Sequence, residues 1–180
     1  MASIGPTLET ERLILRPPRA EDFEPMCAMM ADEETARFIG GVMAPSQVWR
    51  SLCTLAGAWT ISGYSMFSVI EKSTGAWIGR LGPWQPEGWP GTEIAYGLTK
   101  ASHGKGYALE GVSAAIDYAV DILGWDEVIH CIDPLNAASL KVAGRLGARK
   151  LRQAQAPAPF SDITWDVYGQ SADEWRGRRG

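Results

Sequence analysis

Three strand-like runs follow one another in the middle of the chain, at residues 64–71, 76–82 and 92–98. The first two are separated by the sequence KSTG at 72–75, which has the composition of a short turn. Strands joined by such short connections pair antiparallel, because a parallel pair needs a long crossover. The middle of the chain therefore predicts a series of antiparallel strands.

Helical patterns lie on both sides of these strands. Before them, Phe23, Met26, Cys27 and Met30 recur at helical spacing, and a second helix begins near Ser46. The remaining predicted elements are a strand at 11–16, a helix from Gly106 to Leu123, a strand at 126–133, a helix from Asn136 to Leu146, and strands at 149–155 and 163–169.

The order of these elements predicts a mixed α/β fold. It runs strand, two helices, three strands, helix, strand, helix and two strands. Such an order suits a central mixed, mostly antiparallel sheet of about six to seven strands flanked by helices on both faces. A length of 180 residues fits one domain over 1–180 that buries a substantial core.

Charge and cysteine content disfavour several classes of function. The net charge of −4 argues against non-specific binding to nucleic acids or anionic membranes. Cys27, Cys53 and Cys131 are widely separated, so neither a disulfide framework nor a metal site is expected. The opening sequence lacks a basic segment followed by an apolar region, and no apolar run is long enough to cross a bilayer. We therefore expect a cytoplasmic protein.

The sequence SHGKGYALEG at 102–111 places two glycines around a lysine directly before a helical run. The first N–H groups of a helix have no intrahelical partner, and the helix dipole favours negative charge there. Gly104 and Gly106 would let a phosphate approach the backbone, and Lys105 would add a positive charge. This turn is therefore a candidate phosphate-binding loop.

Three kinds of phosphate-binding loop compete for this pattern. A P-loop requires a hydroxyl residue directly after the lysine, whereas Gly106 and Tyr107 follow Lys105, so that interpretation fails. A dinucleotide-binding fingerprint requires a glycine or alanine where Leu109 stands. Asp133 at the end of the next strand suits a ribose contact, so this interpretation is weakened but stays open. The third kind is the pyrophosphate loop of acyl-CoA-dependent transferases.

A family resemblance supports the third kind. HGKGYA at 103–108 is similar to the (Gln/Arg)-x-x-Gly-x-(Gly/Ala) loop of the GNAT superfamily of N-acyltransferases, except that His103 stands first. The stretches 93–111 and 136–148, together with the opening TLETERLILRPPRAEDFE, resemble the ribosomal-protein N-terminal acetyltransferase (RimJ/RimL-type) branch, although Ala148 replaces the usual phenylalanine. The resemblance implies a GNAT-like fold, acetyl-CoA as cofactor, and acetyl transfer to an amine.

Glu93 is the candidate catalytic base. It lies on TEIAYGL at 92–98, a mainly apolar strand that we expect near the centre of the sheet. Desolvation there would raise the pKa of Glu93 toward neutrality, which suits a group that accepts a proton directly or through water. A salt-bridged glutamate at the strand start is the other interpretation. Glu110 and His130 are expected to be structural.

The resemblance also implies roles for residues on both sides of the loop. Near Gly97 the family splays its sheet, so the backbone of Leu98 and Thr99 would bond the cofactor, and Gly97 would ease a bulge. Asn136 would hold the cofactor and Ser139 would hydrogen-bond the leaving sulfur as a second catalytic residue, while plain helix capping stays open for both. The implied cofactor-binding residues are Leu98, Thr99, His103, Gly104, Lys105, Gly106, Tyr107, Ala108, Asn136 and Ser139.

The amine acceptor is expected beside aromatic residues. Trp84 and Trp89 stand among prolines and glycines at 81–91, and Arg37 and Phe38 follow the first helix. These four are the candidate substrate-binding residues for a small-molecule or peptide amine. Exposed tryptophans also serve subunit contacts, so a monomer and a homodimer both stay open. A non-catalytic CoA-binding or sensing module is the main alternative to an enzyme.

Overall fold

The computed structural model of the protein describes residues 4–158 and 161–179. The strands are β1 (Leu8–Glu9), β2 (Leu13–Arg16), β3 (Phe67–Glu71), β4 (Trp77–Trp84), β5 (Glu93–Leu98), β6 (Glu127–Ile132), β7 (Arg149–Gln155) and β8 (Thr164–Ser171). The α-helices are α1 (Phe23–Ala31), α2 (Glu33–Ala36), α3 (Pro45–Ile61), α4 (Tyr107–Asp121), α5 (Ala137–Leu146) and α6 (Ala172–Arg179). Within these described ranges, no helix has the length and apolarity that a bilayer span requires.

The strands form one sheet in the order β1-β2-β3-β4-β5-β6-β8-β7. The pairs β1–β2, β2–β3, β3–β4, β6–β8 and β7–β8 are antiparallel, whereas β5–β6 is parallel. The predicted mixed, mostly antiparallel sheet is confirmed, and every predicted strand is present. The sheet has eight strands rather than six to seven because β1 is only two residues long, too short to produce a hydrophobic pattern.

The fold divides into two compact units, each with its own buried core. Leu15 and Val69 are fully buried in the first unit, and Ile129 and Val167 are fully buried in the second. One domain over 1–180 stays a prediction. The first unit comprises Met1–Gly82 and Tyr96–Ala114, and the second comprises Pro83–Ala95 and Ala115–Gly180.

In the first unit, helices cover both faces of the strands. Gly111 lets α4 approach one face closely, because a Cβ there would lie 2.5 Å from Leu81 Cδ2 and 3.3 Å from Leu13 Cδ1. The preceding residue of β4, Arg80, points to the other face, where its Nη1 donates to Ser51 Oγ of α3 at 3.1 Å. The residues that α3 buries are Val48, Leu52, Leu55 and Trp59, whereas Trp49, which helical spacing places on the same side, is exposed.

A buried ion pair fixes the start of α1 against the sheet. Asp22 is 1% exposed, and both of its carboxylate oxygens bond Arg16 of β2, at 2.7 and 2.9 Å. Ser68 Oγ of β3 donates to Asp22 at 2.6 Å, and the Arg19 N–H donates to it at 2.8 Å. Four donors therefore satisfy this carboxylate, as a buried charge requires.

In the second unit, α5 packs against the β6–β8 pair. Ile132 of β6, Ala143 of α5 and Ala148 form a buried cluster, and Tyr168 of β8 packs against it. Ala148 contributes only a methyl group, so its difference from the family pattern is a small contact inside this cluster. Gly147 ends α5 in a left-handed conformation with φ of +87°, as the sequence predicts.

Replacing Asp22 with Asn should lower the free energy of unfolding by about 3 kcal/mol, because Arg16 would keep its buried charge without its buried carboxylate partner. Urea denaturation measures the change. Glu21→Gln is the matched control, since it removes the exposed partner of Arg16 at 3.1 Å and should give a clearly smaller loss. Equal losses in the two variants would contradict the importance of the buried pair.

Candidate active site

The predicted phosphate-binding segment, the glycine loop at 103–108, leads from the end of β5 into α4. Gly104 and Gly106 have left-handed backbone angles, with φ of +74° and +82°, and α4 begins at Tyr107. Within the described part of the chain, the amides from Gly104 to Ala108 donate no hydrogen bond to protein groups. The loop therefore presents bare amides at a helix N-terminus, where an anion is favoured.

Contacts within the first unit hold the glycine loop in place. Arg12 donates to the Lys105 carbonyl at 3.0 Å and forms an ion pair with Glu110 at 2.6 Å. The Arg12 guanidinium also lies 4.6 Å from the ring centroid of Tyr107, whose hydroxyl donates to Glu71. Glu110 is thus a structural partner, as predicted. Arg12 gives no local signal in the sequence, because the residues that it bonds lie 93 and 98 positions later.

His103 closes the glycine loop onto the end of β5. Its Nε2 bonds the Leu98 carbonyl at 3.0 Å, and the Thr99 N–H donates to the Ile78 carbonyl of β4 at 2.8 Å. Thr99 Oγ1 also lies 2.8 Å from Ser102 Oγ. The Leu98 carbonyl and the Thr99 amide are therefore both bonded within the protein, and the role of these two residues toward a cofactor stays a prediction.

Glu93 is buried at the start of β5, in the second unit, with 5% of its surface exposed. Trp89 Nε1 donates to its Oε2 at 2.6 Å, and the Cys131 N–H donates to its Oε1 at 2.9 Å. Burial raises the pKa of Glu93 to about 7, although the two hydrogen bonds oppose that shift. This carboxyl group can therefore take up or release a proton near neutral pH.

Side chains replace one backbone hydrogen bond between β5 and β6. The strands begin as a regular parallel pair, with Glu93 opposite Ile129. Regular continuation would join the Cys131 N–H to the Ile94 carbonyl. Instead, the Cys131 N–H donates to the Glu93 carboxylate at 2.9 Å, and the Ile94 carbonyl accepts from His130 Nδ1 at 2.8 Å. The pairing is therefore interrupted earlier than at the strand end, where the family resemblance places the opening.

Trp89 belongs to a cluster of three tryptophans in the second unit. The centroid of its ring lies 6.4 Å from that of Trp84 and 5.0 Å from that of Trp165 of β8. Arg152 of β7 donates to the Pro90 carbonyl at 2.8 Å and anchors the backbone next to Trp89. The structure thus brings together two predicted substrate-binding residues beside the predicted base. Trp165 and Arg152 carry no local signal, because they reach this loop from distant strands.

The other predicted residues lie on α5 and after α2. Asn136 Oδ1 accepts from the Ser139 N–H at 3.1 Å, which confirms that Asn136 caps α5. In the first unit, exposed Arg37 lies over Phe38, with its Cζ 5.0 Å from the ring centroid. Roles of these four residues toward a cofactor or an acceptor stay predictions.

Comparison with known sequences identifies the protein family of this chain. Residues 12–149 match the model of the Acetyltransferase (GNAT) domain. A Bacillus licheniformis protein called Uncharacterized N-acetyltransferase p20 is 31% identical to this chain over 150 residues, which cover 80% of this chain and 83% of that protein. The family match extends over most of the chain, including β2 to α5.

Solved structures share the fold. An acetyltransferase from Agrobacterium tumefaciens str. C58 is 29% identical, has a TM-score of 0.81, and is matched over 92% of this chain and 94% of that chain. Mycobacterium smegmatis RimJ in complex with CoA-disulfide is 16% identical, has a TM-score of 0.71, and is matched over 90% of this chain and 83% of that chain. The sequence match, the shared fold and the bare amides of the glycine loop agree, and the chain belongs to the GNAT family of acetyltransferases.

Proposed function

We propose that the protein moves an acetyl group from acetyl-CoA to a primary amine by direct attack within a ternary complex. The observation that carries this proposal is the glycine loop, whose amides from Gly104 to Ala108 bond no protein group in the described ranges. Family membership supports the same reaction. A cytoplasmic location and a small-molecule or peptide acceptor belong to the proposal.

The glycine loop fits the diphosphate of coenzyme A. A Cβ at Gly104 would meet nothing within 4 Å, and one at Gly106 would lie 3.4 Å from Arg12 Nη2, so space lies beside both residues. Exposed Lys105 adds a positive charge to the helix N-terminus. Bound acetyl-CoA supplies the activated acetyl thioester. Arg12 contacts the ring of Tyr107 and bonds the Lys105 carbonyl, and these contacts hold the backbone of the loop in place.

Glu93 would act as the general base. A primary amine has a pKa of about 8 at a peptide N-terminus and about 10 on an alkyl chain, so at neutral pH it is mainly protonated and cannot attack a carbonyl. A carboxylate with a pKa of about 7 takes that proton, directly or through water, in the physiological range. The hydrogen bonds from Trp89 and Cys131 hold the carboxylate in one orientation, which favours proton transfer.

The departing sulfur would be oriented by Ser139, and Asn136 would hold the cofactor beside it, as the family resemblance implies. The Ser139 N–H is bonded to Asn136, so the first turn of α5 is rigid where these residues lie. A serine hydroxyl is a weak acid, so we assign Ser139 to orientation and a water molecule to protonation of the thiolate.

The acceptor would lie against aromatic side chains. Trp84 and Trp89 offer an aromatic surface in the second unit, and Trp165 packs against Trp89. A contribution of Arg37 and Phe38 to acceptor binding stays a prediction. Such surfaces suit the apolar part of a small amine or of a peptide N-terminus.

Release of free thiol from acetyl-CoA tests the proposed reaction. Purified protein is incubated with acetyl-CoA and a panel of amines, amino acids and peptides, and thiol is measured with a colorimetric reagent. Amine-dependent release supports the proposal. Binding of CoA without release in the presence of any acceptor would favour a non-catalytic CoA-binding module.

Glu93→Gln should lower kcat/KM by about 100-fold near pH 8, because an amide cannot accept the proton. Wild-type kcat/KM should fall as the pH drops through about 7, where Glu93 becomes protonated, so the difference between the two proteins should shrink at lower pH. Profiles of rate against pH measure both effects, with CoA affinity as the control. Identical profiles would remove Glu93 from the mechanism.

Glu93→Gln should also change how the free energy of unfolding depends on pH, and this effect does not depend on catalysis. The pKa of Glu93 is raised from 4.5 to about 7 on folding, so the folded protein binds this proton more tightly and loses stability as the pH rises through that range. At about 1.4 kcal/mol per pKa unit, the loss is on the order of 3 kcal/mol. Glu93→Gln should lack it, as urea denaturation at several pH values would show.

Trp89→Phe should move the acidic limb of the rate profile to higher pH by about one unit, because it removes the N–H that stabilises ionised Glu93 and keeps the aromatic ring. Trp175→Phe is the matched control. It removes an indole N–H that donates to Asp117 at 2.8 Å, and it should leave the acidic limb of the pH–rate profile unchanged. Equal shifts in both variants would contradict a specific effect of Trp89.

Gly106→Val should weaken CoA binding by about 100-fold, because a branched side chain would fill the space beside the amides and disfavours φ of +82°. Gly124→Val is the matched control, since Gly124 has φ of +72° and open space around its Cβ position. Isothermal titration calorimetry measures CoA affinity in both. Wild-type affinity in Gly106→Val would exclude the glycine loop as the phosphate site.

A further inference from the structure

Arg12 stands directly before β2 and has its guanidinium beside the glycine loop. Its Nη1 donates to the Lys105 carbonyl at 3.0 Å, and its Nη2 lies 3.4 Å from the position of a Cβ built on Gly106. Apart from the two residues adjoining Gly106, Arg12 Nη2 is the only described group within 4 Å of that position. Arg12 and the loop belong to the same compact unit. The guanidinium therefore borders the space that Gly106 leaves for a ligand.

The carboxylate of Glu110 fixes both the backbone and the side chain of Arg12. Its Oε1 accepts from the Arg12 backbone N–H at 2.8 Å and from Thr10 Oγ1 at 2.6 Å. Its Oε2 accepts from Arg12 Nε at 2.7 Å and lies 2.6 Å from Arg12 Nη2. These contacts restrict the guanidinium, so its other donors have a fixed direction before any ligand binds.

The protein contacts of Arg12 use only part of its donors. A guanidinium carries one N–H on Nε and two on each Nη. Glu110 takes the Nε donor and one from Nη2, and the Lys105 carbonyl takes one from Nη1. One N–H on each Nη is therefore left without a protein acceptor in the described ranges. Charged N–H donors of this kind bind phosphate oxygens more strongly than neutral donors do.

Exposure decides which member of the ion pair a ligand meets. The side chain of Arg12 is 43% exposed, whereas that of Glu110 is only 17% exposed. A ligand that arrives from solvent therefore meets the guanidinium and not the carboxylate. The cation of Lys105 lies on the same helix start, with its Nζ 5.9 Å from the ring centroid of Tyr107, and the Arg12 Cζ lies 4.6 Å from that centroid.

The ion pair also removes a repulsive charge from the start of α4. Glu110 lies in the first turn of α4, next to the amides that favour an anion. An unpaired carboxylate at that place would repel a phosphate group. Arg12 balances this charge. A purely structural role explains the ion pair and the bond to Lys105, but it does not explain why Nη2 lies at the open side of Gly106.

We propose that Arg12 binds the diphosphate of the cofactor through the remaining N–H groups of its guanidinium, together with the amides of the glycine loop. The proposal rests on the proposed acetyl-CoA-dependent function, and it adds a charged side-chain donor to a site otherwise formed by backbone and Lys105. Glu110 is the positioning residue of this pair, because it acts through Arg12.

Isothermal titration calorimetry with CoA tests the contact. Arg12→Gln should raise Kd by about tenfold or more, because it removes a charged donor and leaves the charge of Glu110 unpaired beside the phosphates. Arg12→Lys keeps a positive charge without the planar guanidinium and should give a smaller loss. Arg50→Gln removes an exposed arginine of α3 and should bind CoA as wild type does. Wild-type affinity in Arg12→Gln would overturn the proposal.

Glu110→Gln separates a contact with the phosphates from mere support of the loop. Glutamine keeps the shape of Glu110 and still accepts hydrogen bonds from Thr10 and Arg12. If Arg12 binds phosphate, CoA affinity in Glu110→Gln should equal or exceed that of wild type, because less of the Arg12 charge is balanced within the protein. Similar losses of affinity in Glu110→Gln and Arg12→Gln would show that the pair only supports the loop, and would overturn the contact.

3′-Dephospho-CoA identifies the phosphate that Arg12 meets. This ligand keeps the diphosphate and lacks the 3′-phosphate, so Arg12→Gln should weaken both ligands by the same factor. A loss confined to CoA would place Arg12 at the 3′-phosphate and would overturn the assignment to the diphosphate.

These affinities do not depend on turnover, so the proposed function and the Arg12 contact fail separately. Wild type that binds CoA but releases no thiol with any amine would contradict the proposed reaction, and the comparison of Arg12→Gln with Glu110→Gln would still decide about the contact. Wild type that binds no CoA would overturn both.

Discussion

The interrupted pairing of β5 and β6 is the constraint on which the candidate active site depends. A buried backbone group without a hydrogen bond strongly destabilises a fold, so two strands cannot part unless other groups replace their bonds. Here the Glu93 carboxylate takes the Cys131 N–H, and His130 supplies a donor to the Ile94 carbonyl. The sheet can therefore open at this point with its backbone satisfied. The same bond that permits the opening holds the proposed base in position.

Burial acts in opposite directions on the pKa values of these two side chains. It raises the pKa of Glu93 to about 7 and lowers the pKa of His130 to about 4. At neutral pH, His130 is therefore uncharged and keeps its hydrogen bond to the Ile94 carbonyl. Glu93 is then near the midpoint of its titration and can take up or release a proton. Two titratable residues at one opening thus differ in role: His130 bonds the backbone of the fold, and Glu93 is the base of the proposed mechanism.

Local sequence patterns predicted the strands, the glycine loop and Glu93, because each depends on residues that are neighbours in the chain. Alternation of apolar and polar side chains predicts the strands, and two glycines around a lysine predict the turn before α4. Arg12, Arg152 and Trp165 stayed outside the prediction, because each acts through contacts with residues far along the chain. The apolar strand around Glu93 was enough to predict the direction of its pKa shift. The hydrogen-bond partners of Glu93 could be identified only from the folded structure, because Cys131 lies on another strand.

The buried arginine of β2 shows how this protein uses an enclosed charge for stability. Arg16 is saturated by Asp22, which ties β2 to the start of α1, and an exchange of partners there would weaken the fold.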